Sequence, residues 1–172
     1  MQVALGLGYL HSKNVIYRDL KPENVLVGED GYVLICDFGI SKMIDPAERE
    51  LAYDFIGTPE YMAPEILNSK AGKRGYDFAV DWWALGTLMY ELLIGIPPFY
   101  HHNQHRMVKM IRKKPFKFPD LEELKNERGI IVSDNAKDLI EKFLVKDPNG
   151  RIGSSGGMEE VLSHPWFGDM DR

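Results

Sequence analysis

A mainly α-helical α+β fold with one small β-hairpin is the class that this sequence predicts. Three observations carry it. Apolar residues recur at helical spacing near the start, in the middle and towards the end of the chain. Two short apolar runs, residues 25–28 and 32–35, flank Glu29-Asp30-Gly31, and Asp-Gly between such runs is a strong hairpin signal. Just before them, Tyr17-Arg18-Asp19-Leu20-Lys21-Pro22-Glu23-Asn24 packs acids, bases and an amide around a proline. That run cannot be a helix interior. A dense set of charges on a loop pinned by a strand makes a poor core and a good active site.

The totals bound the answer. The chain has 172 residues, 44% hydrophobic and 27% charged, the size and composition of one globular domain. The formal charge is −5, with Lys and Arg spread along the chain, which argues against nucleic-acid binding and fits a partner with basic residues. Cys36 is the single cysteine, so no disulfide forms within the chain and a reducing, intracellular, cytoplasmic setting is expected. Met1 leads into an apolar stretch without a basic leader or cleavage pattern, so no secretory signal is expected. Residues 82–98 are the most apolar stretch, but they include Glu91 and follow Asp81, so a buried helix is expected there and not a membrane span.

Residues 1–12 read as a helix, with Val3, Leu7 and Leu10 at helical spacing and no capping residue ahead of them. Gly6-Leu7-Gly8 lacks the third glycine of a phosphate-binding fingerprint, because position 11 is His11. Close helix packing is the reading for these glycines. Residues 25–27 read as a short buried strand, and the second strand delivers Asp37-Phe38-Gly39. The hairpin would bring Asp37 beside the loop with Asp19 and Asn24; such oxygen ligands suit Mg²⁺. Residues 40–63 read as a long polar loop, residues 64–68 as a short helix, and residues 72–75 as a surface loop. A long helix over residues 79–95 is apolar nearly all round and therefore central, with Pro97-Pro98 as its stop. His101, His102 and His105 have no cysteine or carboxylate neighbours and read as a solvated loop leading into a basic amphipathic helix over residues 103–113. Residues 115–132 read as a connection. Ser133 is an N-cap for a helix whose Ala136, Leu139, Ile140, Phe143 and Leu144 share a face. Turns at residues 147–150 and 153–157 and a short helix at 158–163 complete the chain.

Tyr17-Arg18-Asp19 with Asn24, then Asp37-Phe38-Gly39, then Ala63-Pro64-Glu65, come in the order and near the spacing of eukaryotic protein kinases, which the chain therefore resembles. Asp81-Trp82-Trp83-Ala84-Leu85-Gly86, Tyr17, and Arg151-Ile152-Gly153 ahead of His164-Pro165-Trp166-Phe167 resemble the AGC group within that family. The likeness covers residues 1–172 but only the larger, C-terminal lobe, with a catalytic loop at 17–24 and an activation segment at 37–65. The fold it implies is the protein-kinase-like α+β fold without its N-terminal lobe.

The resemblance implies roles. Asp19 is similar to the catalytic base and Lys21 to the residue that steadies the γ-phosphate. Asn24 and Asp37 match the Mg²⁺ ligands on ATP, and Lys21, Glu23, Asn24, Leu26 and Asp37 together match the ATP site, Leu26 as its apolar floor. Tyr17, Phe38 and Asp81 match the internal scaffold, and Glu65 and Arg151 a buried ion pair. Lys21 and Thr58 match serine/threonine kinases, which transfer the γ-phosphate of ATP to protein hydroxyls. Glu23 and Glu91 match acids that read arginines before the phosphorylation site; as solvated acids they would carry no such meaning.

Two departures stand out. AGC kinases usually carry a phosphorylatable residue where this chain has Asp54. A phosphate there would pair with Arg18 and Lys42. Asp54 reads as a built-in, weaker substitute that dispenses with an activating kinase. No glycine-rich loop or strand lysine is present in the sequence, so a parent protein would have to supply the lobe that covers ATP. The isolated chain is then expected to transfer little or no phosphate. The rival reading is a non-catalytic interaction module, which the coding sequence upstream of Met1 would discriminate.

Overall fold

The computed structural model describes residues 1–45, 50–69 and 75–168. Of the surface loop expected at 72–75, Gly72, Lys73 and Arg74 lie outside the described residues, as do residues 46–49 of the long polar loop. In chain order the elements are α1 (Gln2–Ser12), β1 (Val15–Ile16), β2 (Val25–Val27), β3 (Val33–Ile35), β4 (Lys42–Met43), α2 (Pro64–Ser69), α3 (Ala79–Ile94), α4 (Gln104–Lys113), α5 (Leu121–Arg128), α6 (Asp134–Phe143) and α7 (Gly157–Leu162).

Helix α3 is the centre. Twelve of its 16 residues are buried, which requires packing on both sides. Val80, Trp83, Tyr90 and Ile94 enter one apolar cluster with α2 and α4. Trp82, Leu85 and Leu88 enter a second with α1, α6 and α7. The helix spans the expected residues, and its end is made by Gly95 ahead of Pro97-Pro98: the left-handed φ of 96° turns the chain and the Gly95 N–H donates to Glu91 O. Gly8 lets α1 and α7 approach: a Cβ there would lie 2.4 Å from the Met158 sulfur.

The hairpin β2–β3 forms in the register Val25↔Ile35, Leu26↔Leu34 and Val27↔Val33. The expectation that residues 25–27 are buried is corrected. Val25 and Ile35 pack inward against the α1 cluster, but Leu26 is 50% exposed and Val27 72%. A two-stranded ribbon has only one covered face, and alternation turns Leu26 to the other; Val27 shares the face of Val25 but lies at the turn end of the hairpin, where it is exposed. Residues 115–132 are not a plain connection either. Helix α5 occupies their middle, capped by Asp120, whose carboxylate accepts from Glu122 N and Glu123 N, and stopped by Gly129. Only Leu121 and Leu124 mark its apolar side, too few for a periodic signal. Within the long polar loop, Lys42–Met43 pairs with Val15–Ile16, a pairing that no local pattern announces.

Lys146, beyond α6, is the cation held most against its preference. Its Nζ donates to Ile111 O at 2.5 Å and lies 4.2 Å from the Phe99 ring centroid. Burial, aided by the Arg151 charge, pushes its pKa down to about 8. Below that pH both folded and unfolded chains carry the proton, and the folded state bears the full cost of the buried charge. Between about 8 and the ordinary 10.5 the folded chain has released a proton that the unfolded chain keeps, so stability rises with pH. Melting temperatures followed from neutral pH upward are expected to rise more, or fall less, in the wild-type chain than in Lys146→Met. Superimposable pH profiles would contradict this.

Candidate active site

The loop at residues 17–24 is fixed from beneath by Asp81. This fully buried carboxylate, in the first turn of α3, accepts from Tyr17 N at 2.9 Å and Arg18 N at 2.8 Å. His11 Nε2 stands 2.8 Å from the same carboxylate. His11 was not singled out by sequence reasoning, yet a signal existed. With Ala4 and Leu7 it falls on the buried face of α1, and a polar residue there needs a buried partner. The grip holds Arg18 at a left-handed φ of 71°. Asp37 is also left-handed at 58°. Such strain in non-glycine residues persists only where surroundings over-determine it, and it gathers at functional sites.

Asp19 is 9% exposed and lies in a network. Thr58 donates to its Oδ1 at 2.8 Å. Lys21 Nζ lies 2.9 Å from its Oδ2 and also donates to Thr58 Oγ1 at 3.1 Å. Asn24 Nδ2 donates to Asp19 Oδ2 at 3.0 Å and to Asp19 O at 2.8 Å. The hydrogen bond to Asp19 raises the Lys21 pKa, with further help from the charges of Glu23 and Asp37. Thr58 is delivered by Gly57, whose φ of 121° suits glycine alone and whose added Cβ would meet Arg18 O at 2.9 Å.

Asn24 and Asp37 share one end of the hairpin. Cys36 N donates to Asn24 O at 3.0 Å, which sets Asp37 one residue beyond. The Asp37 side chain is exposed, and its Oδ1 accepts from Gly39 N at 3.1 Å. Tyr17 donates its hydroxyl to Cys36 O and meets the Phe38 ring edge-on at 5.5 Å. The oxygen donors fit a hard cation: an amide and one carboxylate, with no cluster of three His, Cys, Asp or Glu among the described residues. Mg²⁺ takes few protein ligands and completes its shell with water and phosphate oxygens. Leu26, on the exposed face of the hairpin, stands nearby in sequence on β2.

Arg18 spans from this loop to Ile40, Asp54 and Tyr76. Its Nε donates to Ile40 O at 2.7 Å, and its Nη1 donates to Asp54 Oδ2 and to the Tyr76 hydroxyl, both at 3.0 Å. Lys42 Nζ lies 3.7 Å from the same Asp54 oxygen. The hydrogen bond from Arg18, helped by the charges of Lys42 and Arg18, holds the Asp54 carboxyl below the usual range against the opposing effect of burial. Tyr76 also donates to Asp54 O at 2.9 Å and is placed by the Ala52↔Tyr76 bridge. That long-range bridge left no local trace in the sequence. Tyr61 donates to Glu91, and burial first and Glu91 next raise the tyrosine's pKa, with Glu23 and Glu60 adding to it. Of these acids Glu91 touches the hydroxyl, while Glu23, which is exposed, and Glu60 act on it by charge. His101 Nδ1 accepts from Asn103 N at 2.9 Å and its ring stacks on His102.

Farther off, Arg151 forks onto Glu65. Nη1 donates to Oε1 at 2.6 Å and Nη2 to Oε2 at 3.0 Å, while Ala79 O and Val145 O accept at 2.7 and 3.1 Å. The pair joins the start of α2 to the turn beyond α6, and the bond to Ala79 O adds the start of α3.

Comparison with known proteins agrees with this geometry. A family model described as the protein kinase domain matches residues 1–167. The chain is 42% identical to the serine/threonine-protein kinase gad8 of Schizosaccharomyces pombe, over 99% of the chain and 27% of that protein. It is 42% identical to protein kinase 2 of Dictyostelium discoideum, over 99% of the chain and 32% of the relative. With the serine/threonine-protein kinase Sgk1 of Rattus norvegicus the identity is 42%, over 96% of the chain and 35% of that protein. The chain thus spans roughly a third or less of the length of these relatives. Among the described residues no helix is long and apolar enough to cross a membrane. With a match over nearly its whole length and relatives of this kind, the chain belongs to the protein kinase domain family, on its AGC-like serine/threonine branch.

Proposed function

We propose that this chain forms the acceptor-binding and metal-holding part of a serine/threonine protein kinase that phosphorylates hydroxyls set near basic residues. The observation that carries the proposal is the Asp19 carboxylate, sheltered and oriented by Asn24, Lys21 and Thr58. ATP would give up its γ-phosphoryl group to the acceptor hydroxyl and leave as ADP, and Mg²⁺ would offset the phosphate charge. Asp19 orients the acceptor hydroxyl and takes its proton on a carboxylate oxygen. Lys21 is close enough to trade its contact with Asp19 for a phosphate oxygen. Asn24 and Asp37 hold the cation, and Leu26 and its neighbours on the exposed hairpin face form the floor under the base. Thr58 sets the rotamer of Asp19. The acids around Tyr61, namely Glu23, Glu60 and Glu91, supply the negative field that favours basic substrate residues. Asp54 stands in for an activating phosphate with one charge, tying Arg18 of the catalytic loop, together with Lys42, to the activation segment's middle.

The reading assigns the ATP-covering lobe to the rest of the parent protein, and it leaves the 172-residue chain by itself with little phosphotransfer. All four residue types needed at Asp19, Lys21, Asn24 and Asp37 are present, so no observation favours the binding-module reading. A positional peptide library presented to the parent enzyme and to its Asp54→Asn variant tests the proposal. Arginine or lysine is expected near the acceptor Ser or Thr, and the variant is expected to be slower on every peptide. A preference for acidic or proline-directed sites around the acceptor, or an unchanged rate in the variant, would count against the corresponding part.

A further inference from the structure

Helix α4 is unlike the rest of the surface. It carries Arg106, Lys109, Arg112 and Lys113 and no acid, in a chain whose formal charge is −5. None of the four has an ion-pair partner among the described residues. Arg112 and Lys113 sit in the last turn, where the helix dipole favours cations, but that does not account for Arg106 and Lys109. The apolar side of the helix is already used. Met107 and Ile111 are buried, and Val108 and Met110 pack against the same core.

Beside the helix runs a groove of about 570 Å³, lined by apolar Phe55, Pro59 and Val108 and by Lys109, Arg112 and Lys113. Pro59 directly follows Thr58, whose hydroxyl donates to Asp19, so the groove starts next to the candidate active site. Its charge is opposite to that of the Glu23, Glu60 and Glu91 group at Tyr61. An apolar wall with a cationic edge fits an extended segment bearing one apolar side chain and several carboxylates. A bilayer would find no free apolar helix face to insert, because that side of α4 is buried, and would leave the apolar wall of the groove unused.

We propose that this groove docks an acidic, Asp- and Glu-rich segment of a protein partner. Calling that partner a substrate rests on the kinase reading; the docking itself does not. The measurement therefore runs without ATP, so a failure of phosphotransfer and a failure of docking are distinguishable. A fluorescent peptide of one phenylalanine followed by glutamates is titrated with the chain and read by anisotropy. Saturable binding that weakens with salt is expected, and Lys109→Glu/Arg112→Glu is expected to weaken it about tenfold or more. Both side chains are exposed, and circular dichroism verifies that the variant keeps its helices. The same peptide with lysines for glutamates is expected to reverse the preference, binding the variant better than the wild type. That peptide also tests the wild-type chain without relying on any substitution. Absence of saturable binding to the wild type, or equal affinity in wild type and variant, overturns the proposal. So does charge-dependent binding to phosphatidylserine vesicles without peptide binding, which would make α4 a membrane contact.

Discussion

Replacing Arg151 with alanine is expected to lower unfolding free energy by about 3–5 kcal/mol, the range for breaking a buried pair from one side. The Arg151 side chain is fully enclosed and that of Glu65 nearly so. Removing the guanidinium strands a buried carboxylate and also leaves Ala79 O and Val145 O without this donor. It further removes the cation lying 5.2 Å from the Trp83 ring centroid. The loss comes mainly from what remains behind, so the effect should not add. Glu65→Gln/Arg151→Ala takes out both charges and is expected to cost much less than the two single changes, Glu65→Gln and Arg151→Ala, together. Urea denaturation of the four proteins measures this. A loss below about 1 kcal/mol for Arg151→Ala, or strict additivity in the cycle, would show that the pair contributes little.

In an enzyme that joins this chain to an ATP-covering lobe, Asp19→Asn is expected to reduce kcat by roughly 10²–10⁴-fold, with a much smaller change in KM for the peptide. The amide is the same size. With its oxygen turned to accept from Lys21 and Asn24 and its NH₂ donating to Thr58 Oγ1, every neighbour keeps a partner, so the variant is expected to stay folded. What it loses is the capacity to take a proton and the negative charge that holds Lys21 at 2.9 Å. Thermal melting alongside the kinetics separates chemistry from damage. An Asp19→Asn enzyme within tenfold of wild type, at equal melting temperature, would remove the base from Asp19 and with it the core of the proposed function.

The two substitutions also mark what was readable from the chain. Asp19, Lys21 and Asn24 were legible because they lie within one loop that a proline keeps out of a helix, and because the hairpin signal followed at once. Helix α3 was legible for a similar reason, since its burial follows from an apolar surface on every side. Helix α5 was not, because two leucines in eight residues give no period; its Asp120 cap and Gly129 stop were the only local signs. Leu26 looked buried because a run of three apolar residues implies a covered strand, but pleating turns alternate side chains outward, and a two-stranded ribbon covers only one side.

The sequence by itself determined the residue types of the site, their order, and the class of the fold, since these depend on spacing along the chain and on local turn chemistry. Only the tertiary structure decided which distant groups meet. His11 and Asp81 are 70 residues apart, Lys146 and the Ile111 carbonyl are 35 apart, and Thr58 stands 39 residues from the Asp19 to which it donates. The physical reason is that such contacts are not encoded by any local period. They arise when α3 is enclosed from both sides and the loops crossing its N-terminal end must satisfy the buried carboxylate of Asp81.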